Sequence, residues 1–373
     1  MGPMLAATRV WAERRPEVAI EWSERPLAAF NDQPIETLAS RFDLLVIDHP
    51  FVGTAAATGC LAPLDGLVPR ALLAERARDS IGPSHESYAY EGNQWALAVD
   101  AACQVAVVRE DLLDELGQRA PATWEDVVAF AEAKVGRVAI PLSPTDAICS
   151  VLTLCASLGA PAAAGASFFS DPTTGREALA LLSRLLPALH PESLDFSPPL
   201  ALERMRGSDE IVYIPLVFGY SNYSRPAGGR PRLRFLDIVS NGRDPAGSLL
   251  GGAGLAVSST SRHQAEATEF AVWVSGSEAQ ASVVFPAGGQ PASRSAWLDA
   301  TLDEASGFFF SGTRATIEAA HVRPRAPWWP GFQEEAGHVV ASALRERRPA
   351  AALADELERL YRRHLVGRYA PRG

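Results

Sequence analysis

Short apolar runs alternate along this chain with segments of helical period, and that alternation restricts it to a layered α/β architecture. The clearest run is FDLLVID, Phe42–Asp48, where four apolar residues stand between acids and lead to the turn-former Pro50. It reads as a buried strand. QVAVV from Gln104, EIVYIPLVF from Glu210, LRFLDIV from Leu233 and GLAVS from Gly254 read the same way. Between them lie helices with recognisable starts. In PATWEDVVAFAEAK, Thr123 is the expected cap with Asp126 at the third helical position, and Trp124, Val127, Val128 and Ala131 form one apolar stripe. In TSRHQAEATEFAVWV, Ser261 and Gln264 are expected to form an S-x-x-Q capping box, with Ala267, Phe270, Ala271 and Val274 on one face. A last helix is expected from about Ala351 to His364, burying Leu353, Leu357, Leu360 and Tyr361.

A chain of 373 residues exceeds the size at which one core stops growing, so two lobes of roughly 150 residues each are expected. Its 34 basic and 44 acidic residues leave a formal charge of −10. With no basic stripe, nucleic acid and anionic membrane surfaces are excluded as partners. Cys60, Cys103, Cys149 and Cys155 show neither a C-x-x-C pair nor metal-ligand spacing, and read as free, buried thiols with no metal. Gly/Pro-rich joints fall near Gly159, Gly228, Asn241 and Gly288. None is long enough to be a tether. Met1–Val10 lacks the apolar stretch of a secretory signal, and no 18-residue apolar run follows. As written, the sequence is therefore expected to remain in the cytoplasm.

The common catalytic signatures are missing. There is no G-x-x-x-x-G-K-[ST], and the Gly-rich GGAGLAVSS opens a strand instead of leaving one toward a helix. GYSNY at Gly219 begins like a nucleophile elbow but places Tyr223 where the second glycine is needed. The seven histidines are dispersed, with no H-E-x-x-H; only His49, directly after a strand, is placed like a site residue. Glu334–Glu335 and Asp355–Glu356 fall on expected helix surfaces, where solvation accounts for them.

Three segments, in order, resemble bacterial family 1 extracellular solute-binding proteins, the receptors of carbohydrate-type ABC importers. FDLLVIDHPFVGTAAATGCLAPLDGLVP (Phe42–Pro69) resembles the family's strand, turn, Gly and L-x-P-L-D segment. YEGNQWALAVDAACQVAVVREDLLDELGQRAPATWEDVVAFAEA (Tyr90–Ala133) is similar to its strand near an Asp, its crossing strand, its Arg-x-Asp-Leu-Leu helix and its Pro-x-Thr-Trp helix start. LLGGAGLAVSSTSRHQAEATEFAVWVSGSEAQ (Leu249–Gln280) resembles the Gly-rich strand and the helix ending in S-x-E-A-Q. The resemblance implies an α/β, two-lobe periplasmic-binding-protein-like type II fold with the ligand cleft between lobes. Lobe 1 is then expected over residues 1–103 and 253–311, and lobe 2 over 104–252 and 312–373, with crossings near Cys103, Gly252 and Ser311.

A receptor of this kind needs no acid, base or nucleophile and no cofactor; it needs hydrogen-bonding groups, aromatic rings and a hinge. The resemblance places Asp48 and His49 after the first recognisable strand and Asp100 before the first crossing, as partners for ligand hydroxyls. Tyr220, Asn222 and Tyr223 follow IVYIPLVF, where the family presents an aromatic to ligand. Gly251 and Gly252 offer close backbone approach. Trp328 and Trp329, in RAPWWPGF, stand in a segment that lines the cleft from the second lobe, while Phe332 reads as core. The implied ligand is a small polar molecule such as a sugar, polyol or small carboxylate, and the implied partners are ABC permease subunits serving a monomer.

The family begins with a signal and a first strand, which implies a periplasmic or extracellular protein. Here MLAATRVWAERRPEVAIEW looks like the first helix and second strand, so a start assigned too late is expected. The alternative is a cytosolic protein using the same fold as an enzyme or sensor, suggested by His49 beside Asp48. A detached effector domain of a regulator is a third class, disfavoured because no helix-turn-helix segment is present.

Overall fold

A computed structural model describes residues 2–24, 34–226, 228–240 and 244–367. The joint expected at Asn241 falls partly outside the described residues. The described strands are β1 (Leu44–Ile47), β2 (Ala89–Tyr90), β3 (Asn93–Gln94), β4 (Leu97–Val108), β5 (Tyr213–Phe218), β6 (Arg234–Leu236) and β7 (Leu250–Val257). All five strand readings from the sequence are found among them. The chain divides into two compact units: Met1–Ala102, Gly251–Glu304 and Arg325–Pro330 form unit 1, and Cys103–Leu250, Ala305–Pro324 and Gly331–Gly373 form unit 2. Strands β4 and β7 each run from one unit into the other. The segment Arg325–Pro330, which carries both candidate tryptophans, groups with unit 1, although the sequence expectation had all of 312–373 in lobe 2.

In unit 1, β1 pairs antiparallel with β7, Ile47 opposite Gly254. Side-chain alternation separates two cores. Leu97, Val99, Leu255 and Val257 face a cluster with Ala7, Trp11, Phe270, Ala271 and Val274, whereas Leu45, Ile47 and Ala256 face one with Ile35, Val52, Tyr88 and Trp95. A sheet covered on both faces produces the continuous apolar run seen in FDLLVID. The helix Gly2–Arg14 brings Trp11 edge-on to Phe270, with ring centroids 5.7 Å apart. The strand expected around EVAIEW is not formed among the described residues. Ile20 and Trp22 still pack on the core, and Trp22 Nε1 donates to Thr8 Oγ1 at 2.8 Å, so burial is achieved without a ladder.

In unit 2, the second half of β4 pairs antiparallel with β5, Val108 opposite Tyr213, and with β6, Val108 opposite Arg234. The helix Pro144–Ser157 is buried around most of its circumference, as its apolar composition requires. The helix Ala350–Gly367 buries the four expected residues Leu353, Leu357, Leu360 and Tyr361. Tyr361 lies in an aromatic cluster with Phe168 and Phe332, at centroid distances of 5.7 and 5.3 Å, which accounts for Phe332 being core.

The two expected helix caps differ. Thr123 and Asp126 form the reciprocal capping box at the start of Trp124–Ala133. Ser261 and Gln264 do not. Helix Gln264–Val274 begins after His263; the Ser261 hydroxyl accepts from the His263 N–H and donates to Asp43 at 2.5 Å, while Gln264 donates to the carbonyls of Ser258 and Ser259. Asp43, 218 residues away in sequence, recruits the hydroxyl that the local motif assigned to the helix.

Candidate ligand-binding groups in each unit

In unit 1 the end of β1 turns into a short 3₁₀ segment, His49–Phe51, because Asp48 stays extended and its carboxylate accepts the His49 backbone N–H at 2.8 Å. Asp48 is thus a turn cap, and its side chain also keeps 20 % exposure. His49 lies behind it, fully buried, with its ring edge-on to Tyr88 at 6.3 Å. The Tyr88 hydroxyl donates to the Ile47 carbonyl at 3.3 Å and fixes the strand end.

Asp100 stands on β4, beside the Gly-rich start of β7. Gly252 has φ +121°, and a Cβ there would overlap the Asp100 carbonyl oxygen. Glycine is required at this position by the close approach of the two backbones. Gly251 precedes it on the same strand and is partly exposed. Burial pushes the Asp100 carboxyl up to about 7, opposed by a backbone hydrogen bond from Gln290. Such a group is present in both protonation states near neutrality and can both donate to and accept from a hydroxyl.

Helix Val52–Thr58 continues from the Asp48 turn, and Arg325–Pro330 docks on its start. Gly53 leaves no room for a Cβ against the Arg325 carbonyl, and Thr54 Oγ1 donates to the Pro327 carbonyl at 3.3 Å. The Arg325 guanidinium donates to the carbonyls of Glu86 at 2.8 Å and Ala89 at 2.7 Å. The two tryptophans then separate. Trp329 is fully buried, whereas Trp328, T-shaped against it at 6.1 Å, is partly exposed. The Asp48 turn thus leads into the helix on whose first residues the segment just before Trp328 docks. The sequence reading missed the Gly53 and Arg325 contacts; the signal for them was the glycine just after the turn.

In unit 2, β5 ends at Phe218 and Tyr220 leads the 3₁₀ turn Ser221–Tyr223. Tyr220 is partly exposed and Asn222 exposed. Tyr223 turns toward the helix Pro198–Gly207: its hydroxyl donates to the Pro199 carbonyl at 3.5 Å, and the Arg206 guanidinium lies over its ring at 5.8 Å. Burial and the neighbouring Glu203 push its phenol up to about 12. Tyr223 thus packs within the unit, leaving Tyr220 and Asn222 as the more open pair.

No group of three or more His, Cys, Asp or Glu among the described residues is arranged to hold a metal ion. No described helix is long and apolar enough to cross a membrane.

A family profile described as bacterial extracellular solute-binding protein matches residues 29–309. No curated protein matches the chain. Solved structures share its fold, and three of them illustrate it. Maltose-bound MalE3 of T. maritima is 18% identical, with 96% of this chain and 95% of that one covered, at a TM-score of 0.82. A solute-binding protein of Thermotoga lettingae bound to α-D-tagatose is 15% identical over 97% and 95%, at 0.83. One from Agrobacterium radiobacter in complex with ribitol is 20% identical over 96% and 96%, at 0.77.

Proposed function

The chain belongs to the bacterial extracellular solute-binding protein family, and from that premise we propose that it is a non-catalytic receptor that captures a sugar or polyol for ABC permease subunits, working as a monomer outside the cytoplasm. The observation that carries the ligand reading is that a partly exposed carboxylate, Asp48, caps the turn into the helix whose Gly53 and Thr54 hold the segment carrying the partly exposed indole of Trp328. Carboxylates accept sugar hydroxyls, and an indole face covers the apolar side of a sugar ring. Asp100 adds a group able to donate as well as accept. Tyr220 and Asn222 are the corresponding groups of unit 2. His49, Gly251, Gly252, Tyr223 and Trp329 support these positions through packing and backbone geometry.

Support for this ligand class also comes from the maltose, tagatose and ribitol held by proteins of the same fold. The enzyme-or-sensor alternative drew on His49 beside Asp48. His49 is fully buried against Tyr88 with its Nδ1 3.1 Å from the Asp48 carboxylate, and in the receptor reading it supports the Asp48 turn.

A thermal-shift screen of sugars, polyols and small carboxylates tests the reading. A true ligand at a hundredfold excess over Kd adds about 2.7 kcal/mol of stability, enough for a clear rise in melting temperature. Absence of any stabilising sugar or polyol overturns it.

A further inference from the structure

Unit 2 holds one exposed aromatic in a strained backbone. Phe308 has φ +62°, a genuine outlier for a bulky side chain, and the residue is 45% exposed. The next two phenylalanines are buried. The backbone is held from both sides. Before it, Gly307 (φ +70°) lies so close to the Ser224 carbonyl that no Cβ fits, and Ser224 Oγ donates to the Ser306 carbonyl at 2.5 Å. After it, the Phe309 N–H donates to Ser306 Oγ at 3.0 Å, and the Phe309 ring packs on Phe235 at 5.0 Å. The Phe308 carbonyl then accepts from Gly312 and starts the helix Phe309–Glu318.

A lone exposed apolar side chain is ordinary. One kept outside by an over-determined, unfavourable backbone is not, because strain of this kind persists chiefly where function uses it. The residue that holds Phe308 in place also points to the use. Ser224 directly follows the turn Ser221–Tyr223, and a Cβ on Gly219, just before Tyr220, would be 3.0 Å from the Phe309 ring. Phe308 therefore belongs to the same local assembly as Tyr220 and Asn222.

We infer that Phe308 is a ligand-stacking residue that makes unit 2 selective for cyclic sugars over open-chain polyols. A phenyl ring has no donor or acceptor for hydroxyls. It offers a flat apolar face, matched by the C–H face of a sugar ring and poorly matched by a flexible polyol whose carbons all carry hydroxyls. The inference rests on the sugar-receptor reading above and adds the specificity.

The test uses Phe308→Ala and Phe308→Gly in the full chain, with calorimetric titration of maltose, D-tagatose and ribitol and a melting curve for each protein. The expected result is that wild type binds one of the cyclic sugars more tightly than ribitol, and that both variants bind that sugar about tenfold more weakly. Phe308→Gly should melt above Phe308→Ala, since glycine adopts a positive φ without a Cβ clash. Unchanged sugar affinity in both variants, binding of ribitol alone, or a Gly variant melting below the Ala variant overturns the inference and leaves the receptor reading standing. Failure of wild type to bind any of the three, with no other sugar or polyol stabilising it, overturns both.

Discussion

Gly53 and Arg325, 272 positions apart in the chain, meet so closely that the Arg325 carbonyl oxygen occupies the space a Gly53 Cβ would take. This contact fixes the Trp328 segment to the helix that follows the Asp48 turn. Gly53→Ala must push one backbone away from another, so it should destabilise unit 1 by about 1–3 kcal/mol, the usual range for overpacking, and weaken sugar binding with it. Thr54→Ala, which removes one exposed bond to Pro327, should cost no more than about 1 kcal/mol. Denaturant midpoints of the two variants settle the order; equal midpoints would remove the steric argument.

The two adjacent tryptophans should part company on mutation. Trp329→Ala empties a fully buried site and should cost about 3–5 kcal/mol. Trp328→Ala, at a partly exposed site, should cost clearly less stability than Trp329→Ala while abolishing or strongly weakening ligand binding. If Trp328→Ala binds as wild type does, that indole is not part of the site.

Asp100 sets a pH dependence whose sign follows from its carboxyl being pushed up to about 7. Its unfolded value is about 3.9. The folded state therefore holds the proton more tightly, so this residue's favourable contribution is complete below pH ~4 and is lost as the pH rises toward 7. Asp100→Asn removes that loss. The variant should gain stability over wild type progressively between pH 4 and 7 and keep a constant advantage above. Parallel melting curves for the two proteins across this range would contradict the shift.

Arg109 separates buried from exposed contributions within a single side chain. Only 3% exposed, it donates from Nη1 to the carbonyls of Met205 and Ser208, both at 3.0 Å, at the end of helix Pro198–Gly207, and pairs with Asp111 and Asp209. Both carboxylates are largely exposed. Arg109→Met leaves the carbonyls without their donor and should cost about 1–3 kcal/mol or more. Asp209→Asn should cost under about 1 kcal/mol. Urea unfolding of the two variants is a direct comparison.

Local order was readable where the deciding partners were neighbours in sequence. Thr123 and Asp126 cap each other three residues apart, and the helix forms as expected. Ser261 carried the same local signal, but Asp43 takes its hydroxyl, and nothing near Ser261 announces that. The candidate site divides in the same way. Asp48 and His49 are equally polar in the sequence, yet the 3₁₀ turn after β1 and the packing on Tyr88 leave one partly exposed and the other fully buried. Trp328 and Trp329 cannot be ranked without the helix that begins at Trp329. Phe308 was passed over because its backbone strain arises from Ser224, more than eighty residues earlier.

The pairing of β1 with β7 has a consequence during synthesis. Ile47 leaves the ribosome about 200 residues before its partner Gly254, an interval on the order of 10–40 s at ordinary elongation rates. Throughout that time an apolar strand has an open edge, with its backbone N–H and C=O groups unanswered. The nascent protein must be kept from pairing that edge with another chain, which makes it a natural client for a holding chaperone until residue 254 appears.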